Sequence, residues 1–61
     1  MISPYEEPQK VKDFLPLMSK EDLEELLKII YDLLRYEADG HKIMRLLDNR
    51  DILEDALNNY D

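Results

Sequence analysis

Cysteine is absent from the chain. That removes disulfide staples and thiolate metal sites together, and the lone histidine, His41, has no second imidazole to cluster with. Glycine occurs once, at Gly40, too few for a phosphate-cradling loop. No run approaches the roughly 18 apolar residues of a membrane span. The opening MISPYEEPQK has no basic segment followed by an apolar stretch, so it does not read as a signal peptide. The expectation is a soluble, cytoplasmic protein, with which the lack of cysteine is compatible. Basic residues are also scarce, eight against fifteen acidic ones, for a formal charge of −7. Such a field repels phosphate backbones and anionic membrane surfaces, so direct binding to nucleic acid or membrane is disfavoured. It suits plain solubility, a basic protein partner, or imitation of a nucleic acid.

Sixty-one residues make one small domain. A chain of this length buries only about 60% of the surface its unfolded form exposes. Small folds usually add disulfides, a metal or a partner subunit. With the first two lacking ligands, association is the remaining source of extra stability.

The most legible stretch is SKEDLEELLKIIYDLLRYEADG, Ser19 to Gly40. Ser19 can accept from the free N–H groups of a first turn, with Asp22 in the reciprocal position of a capping box. Met18 and Leu23 stand at the spacing of a hydrophobic staple. Glu21, Asp22, Glu24 and Glu25 place negative charge at the positive end of the helix dipole. Arg35 lies near the other end, and Asp39-Gly40 suits a left-handed stop. The pattern predicts a long amphipathic helix over 20–38, about five turns. Leu23, Leu26, Leu27, Ile30, Leu33 and Leu34 form its central stripe, widened by Ile29 and Tyr36 on one side and Tyr31 on the other. The apolar arc spans roughly 220°, against the 100° or so that one packing contact requires.

Around this helix the chain reads as all-α, since no period-2 alternation occurs. Residues 1–7 are expected to be mostly irregular, with Ser3-Pro4-Tyr5-Glu6 able to form a single turn. Pro8 suits a helix start, and Val11, Phe14 and Leu15 share one face of a short helix over 8–15 that Pro16 ends. Leu15, Leu17 and Met18 make an apolar elbow into Ser19. After Gly40, helices over 41–47 and 50–58 fold back antiparallel onto the long one because the link is short. Asp48-Asn49-Arg50-Asp51 carries weak helix formers and a candidate Asn49 cap, which favours a break or kink near Asp48. The 3-4 spacing of Ile43, Leu46, Arg50, Leu53, Leu57 and Tyr60 argues instead for one continuous helix. The break is the preferred expectation, and the whole is expected to form a helical-bundle homodimer.

No reactive constellation stands out. Ser3 and Ser19 are the only serines, and Ser19 is engaged as a cap; without a base oriented beside a nucleophile, covalent catalysis has no footing. His41 reads as a solvated residue beside a turn. Carboxylates are plentiful, but acid–base catalysis needs two in different environments within a cleft. A calcium loop with Gly40 as its sixth residue would put Arg35 in the first ligand position. Asp48, Asp51 and Glu54 recur at three-residue spacing, yet Arg50 and Ile52 fall on ligand positions. His41–Leu47, Asp48–Asp51 and Ile52–Leu57 have helix-turn-helix spacing, but the second helix carries Glu54, Asp55 and Asp61 and no base-reading cation. No catalytic, cofactor-binding or metal-binding residue is assigned, and no enzymatic activity is expected.

The leading functional expectation is therefore a small regulatory or adaptor protein acting by protein–protein binding, of the kind encoded by phages and bacteria. It would be a homodimer that also engages a larger protein. Its expected association surface is Leu26, Ile29, Ile30, Leu33 and Tyr36. The alternative is an acidic nucleic-acid mimic occupying a DNA- or RNA-binding protein. Its faces would be Glu21, Glu24, Glu25 and Asp32, and Asp48, Asp51, Glu54 and Asp55, although Lys28 and Arg35 interrupt the first row.

Overall fold

A computed structural model describes residues 2–60. Met1, assigned to the irregular segment, and Asp61, weighed in the helix-turn-helix comparison, lie outside the described residues. The described residues form three α-helices and one 3₁₀ turn: α1 (Pro8–Phe14), the turn Leu15–Leu17, α2 (Lys20–Leu34) and α3 (Gly40–Asn58). The fold is all-α.

Pro8 begins α1 at the position where a missing N–H does no harm. The α-helical ladder stops at Phe14, two residues before Pro16, and the chain tightens into the 3₁₀ turn that contains this proline. The expected face of α1 divides. Val11 is buried and Leu15 half-buried, but Phe14 is turned outward.

Ser19 starts α2 as its sequence implies. Its hydroxyl accepts from the Asp22 N–H and the Asp22 carboxylate accepts from the Ser19 N–H, both at 3.1 Å. The far end differs from expectation. The α-helix closes at Leu34 rather than residue 38, through short-range bonds from the Arg35 N–H to Asp32 and from the Tyr36 N–H to Leu33. No residue among those described adopts a positive φ, so Asp39-Gly40 is not a left-handed stop. The Asp39 side chain instead accepts from the Lys42 N–H at 3.1 Å and caps α3, whose first residue is Gly40. A pair read as the end of one helix is the start of the next.

The expected break near Asp48 does not occur, and α3 is continuous for 19 residues. The 3-4 apolar spacing prevails over the weak propensities of Asp48, Asn49 and Asp51. Asn49 does not cap; its side chain is fully buried and points across the fold. With no turn at 48–51, the helix-turn-helix spacing has no structural counterpart.

Val11, Leu23, Leu26, Leu27, Ile30, Leu46 and Leu53 form the core, with Ile2, Tyr5, Leu15, Met18, Leu33, Leu34, Ile52, Ala56 and Leu57 packed against it. Helix α3 packs against both α2 and α1. Leu27 and Tyr31 of α2 share a shallow depression with Glu54, Leu57 and Asn58 of α3. The broad apolar arc of α2 is thus covered on one side by α3. Ile2 and Tyr5 from the N-terminal segment and Val11 from α1 complete the same core. Leu26 and Ile30 are 1% and 0% exposed within a single chain. These two residues of the expected association surface are core residues, enclosed in a cluster to which α3, α1 and the segment ahead of α1 all contribute.

Candidate interaction surface

The N-terminal segment is a strap held at several points. A turn forms where the Glu6 N–H donates to the Ser3 carbonyl and the Tyr5 N–H to Ser3 Oγ, each at 3.1 Å. Asn49 Nδ2 donates to the carbonyls of Pro4 (2.9 Å) and Glu6 (2.8 Å). Arg45 Nη1 reaches the Tyr5 carbonyl between them at 3.2 Å. Three consecutive strap carbonyls are therefore satisfied by two side chains one helical turn apart on α3. The Tyr5 hydroxyl donates to Glu37 Oε1 at 2.7 Å, tying the strap to the α2–α3 link, and Lys42 Nζ sits 5.8 Å from the Tyr5 ring centre. This hydrogen bond holds the Glu37 carboxyl below its ordinary value, with help from the Asp39 N–H, and raises the Tyr5 phenol above its own. Asn49 Oδ1 is buried without a hydrogen-bond partner.

The strap organises the surface beside it. Stepping 100° per residue around α2, Asp22, Glu25, Ile29 and Leu33 form one row at 3-4-4 spacing, flanking the buried stripe, and Tyr36 follows two residues past the helix end. Ile29 is 36% and Tyr36 80% exposed, while Leu33 is half-buried. At the start of α2 the row meets an apolar groove of about 370 Å³ lined by Ile2, Phe14, Leu17, Met18 and Asp22. Leu17, in the 3₁₀ turn, is 79% exposed. Of the residues expected to associate, Ile29 and Leu33 lie on this outer row and Tyr36 just past its end, and Leu26 and Ile30 do not.

Phe14, Leu17 and Met18 were not assigned to a surface by sequence reasoning. The signal available was the run FLPLM itself. A proline inside an apolar run shortens the helix that would otherwise turn those side chains inward.

The acidic residues form two separate sets. Glu21, Glu24, Glu25 and Asp32 are exposed on α2, with Lys28 and Arg35 among them. On α3, Asp48, Asp51 and Asp55 follow an outer ridge at 3-4 spacing, all exposed. Glu54 leaves that ridge: it accepts from the Tyr31 hydroxyl across the α2–α3 seam and lies 3.8 Å from Arg50 Nε. Asp51 is paired with Arg50 at 3.0 Å. Each ridge lies opposite its own helix's buried stripe, so the two do not merge into one charged face. His41 is exposed on the first turn of α3. Among the described residues, no three side chains suited to hold a metal ion come together, and no helix is long and apolar enough to cross a membrane.

No known protein family, characterised protein or solved structure matches the chain. The functional reading rests on its own surface.

Proposed function

We propose that this chain is a small non-enzymatic regulatory or adaptor protein that binds a larger protein through the outer row of α2 and the groove at its start. The observation carrying this reading is the set of exposed Ile29, half-buried Leu33 and exposed Tyr36 towards the end of α2, together with the groove at its start that bears the exposed Leu17. Isolated apolar side chains on a surface need no explanation; several on one element that also borders a groove are the usual form of a docking site. The Ile29→Glu/Tyr36→Glu double variant tests it. Both chains are used as bait in host lysate, and the retained proteins are compared by mass spectrometry. Partners held by the wild type and lost by a folded variant support the reading; partners retained equally by both overturn it.

A symmetric dimer through the same row is the second reading, favoured by its lack of cover in the single chain. The charge of −7 on each copy opposes it. Sedimentation at micromolar concentration separates the two, a 7.3 kDa species removing the dimer. Imitation of a nucleic acid draws less support, since Lys28 and Arg35 interrupt one ridge and Arg50 neutralises part of the other. Mimicry requires binding that collapses with salt, whereas apolar docking responds little.

A further inference from the structure

The seat of the strap on α3 is satisfied on one side only. Asn49 Nδ2 and Arg45 Nη1 donate to the carbonyls of Pro4, Tyr5 and Glu6. Asn49 Oδ1, in a residue that is 0% exposed, has no donor. The strap has none to give it. Pro4 carries no N–H. The Tyr5 N–H goes to Ser3 Oγ, the Glu6 N–H to the Ser3 carbonyl and the Glu7 N–H to Glu6 Oε1. No backbone–backbone hydrogen bond joins residues 2–6 to the rest of the described chain. The strap is held instead by side chains: the two α3 donors, Ile2 against the core, and Tyr5, whose hydroxyl meets Glu37 and whose ring lies under Lys42.

We propose that this seat is a peptide-binding site that the strap closes in cis, and that its occupant in trans is a tyrosine-bearing segment of another protein. A buried acceptor without a donor is unfavourable, so a segment that brings the missing N–H is held more tightly than the strap. An asparagine amide is matched by a main chain offering both a carbonyl and an N–H. The incoming tyrosine takes the place of Tyr5 between Glu37 and Lys42, and the segment's carbonyls take those of Pro4 to Glu6. A second copy of this chain fits less well. Its strap brings the same carbonyls and the same missing donor, against a segment already tethered at the site. The seat lies on α3 and the α2–α3 link, a second binding surface besides the outer row of α2.

The test uses the full chain, as wild type and as Tyr5→Ala, which weakens the strap without touching Arg45 or Asn49. Two fluorescent peptides span residues 2–8, one of natural sequence and one with Pro4→Ala, which restores an N–H within the segment. A scrambled form of the first is the control. Anisotropy is expected to show the natural peptide binding Tyr5→Ala about tenfold or more tighter than wild type, because the seat is no longer held closed. The Pro4→Ala peptide is expected to bind about threefold tighter again. In the labelled chain the side-chain amide signals of Asn49 are expected to move with saturation.

No binding to a folded Tyr5→Ala chain, or equal affinity for both chains, overturns the proposal. So does equal binding of the scrambled peptide, or an Asn49 signal that stays in place. Weaker binding of the Pro4→Ala peptide overturns the part given to Asn49 Oδ1. Should Tyr5→Ala lose its helices by circular dichroism, the wild-type chain titrated to millimolar Pro4→Ala peptide reads the same displacement through its Tyr5 ring signals, and unmoved signals overturn the proposal there. Partner capture through Ile29 and Tyr36 uses other residues, so either result can fail without the other.

Discussion

Asn49 donates to the carbonyl of Pro4 at 2.9 Å, joining the middle of α3 to a residue 45 positions earlier. The second proton of the same amide goes to Glu6. One fully buried polar side chain thus supplies two of the bonds that hold a strap with no α-helix or strand of its own. Replacing it removes both donors and leaves two carbonyls to find water. Asn49→Ala is expected to destabilise the fold by on the order of 2 kcal/mol. Asn49→Asp preserves the shape but puts a carboxylate where two carbonyls need a donor, and is expected to cost at least as much. Urea unfolding followed by circular dichroism checks both; an aspartate variant as stable as the wild type would refute this role for the amide.

The Tyr5–Glu37 hydrogen bond makes the strap sensitive to pH at both extremes. Glu37 titrates below its ordinary value of 4.5 in the folded chain, so its contribution is present above that value and is lost as pH falls through the depressed pKa. Tyr5 titrates above its ordinary value of 10.0, so its contribution is complete below 10.0 and is lost as pH rises through the elevated pKa. Both side chains are only half-buried, and the effect is correspondingly small. In thermal melts from pH 2 to 7, the gap between wild type and Glu37→Gln is expected to be widest near neutrality and to close in acid. A gap independent of pH would show that the bond contributes nothing through ionisation.

Gly40 separates two descriptions of the same turn. Were it a left-handed stop for α2, an alanine there would be strained. It is instead the first residue of α3, without positive φ, and a Cβ built on it meets no atom within 4 Å. Gly40→Ala is therefore expected to stabilise the fold by about 0.4–1 kcal/mol, mainly by restricting the unfolded chain. A lower melting temperature for Gly40→Ala would restore the left-handed reading.

These cases mark where the sequence was legible. The start of α2 could be read to the residue, because a capping box is a local contract among Ser19, Asp22 and the intervening backbone. The stripe from Leu23 to Leu34 was equally plain, being a periodicity that only a helix satisfies. What escaped was non-local. Asn49 has the appearance of a cap in its own neighbourhood, and only the carbonyls of Pro4 and Glu6, more than 40 positions away, give it another use. The strap's contribution to the core was hidden for the same reason: Ile2 and Tyr5 are apolar but carry no period. The apolar excess inferred on α2 was real in composition and smaller in space, reduced to Ile29, Tyr31, Tyr36 and parts of Leu33 and Leu34.

That reduction yields a paired prediction for adjacent residues. Ile30 is fully enclosed by its own chain, while Ile29, one position earlier and about 100° around the helix, reaches solvent. Ile30→Glu buries a carboxylate among leucines with no cation to meet it. Its expected cost, on the order of 4 kcal/mol or more, is comparable to the whole stability of so small a domain. The helical signal should be lost at room temperature. Ile29→Glu extends an exposed acidic row and is expected to shift stability by no more than about 0.5 kcal/mol. Circular dichroism on the two variants reads the first difference, and capture of the wild-type partners reads the second. If α2 instead met a second copy of the chain through Leu26, Ile30 and Leu33, both glutamates would fall in one interface, and the folded Ile29→Glu chain would sediment at half the wild-type mass. Equal masses for Ile29→Glu and wild type, with partner capture lost only in the variant, place the exposed row in contact with a different protein.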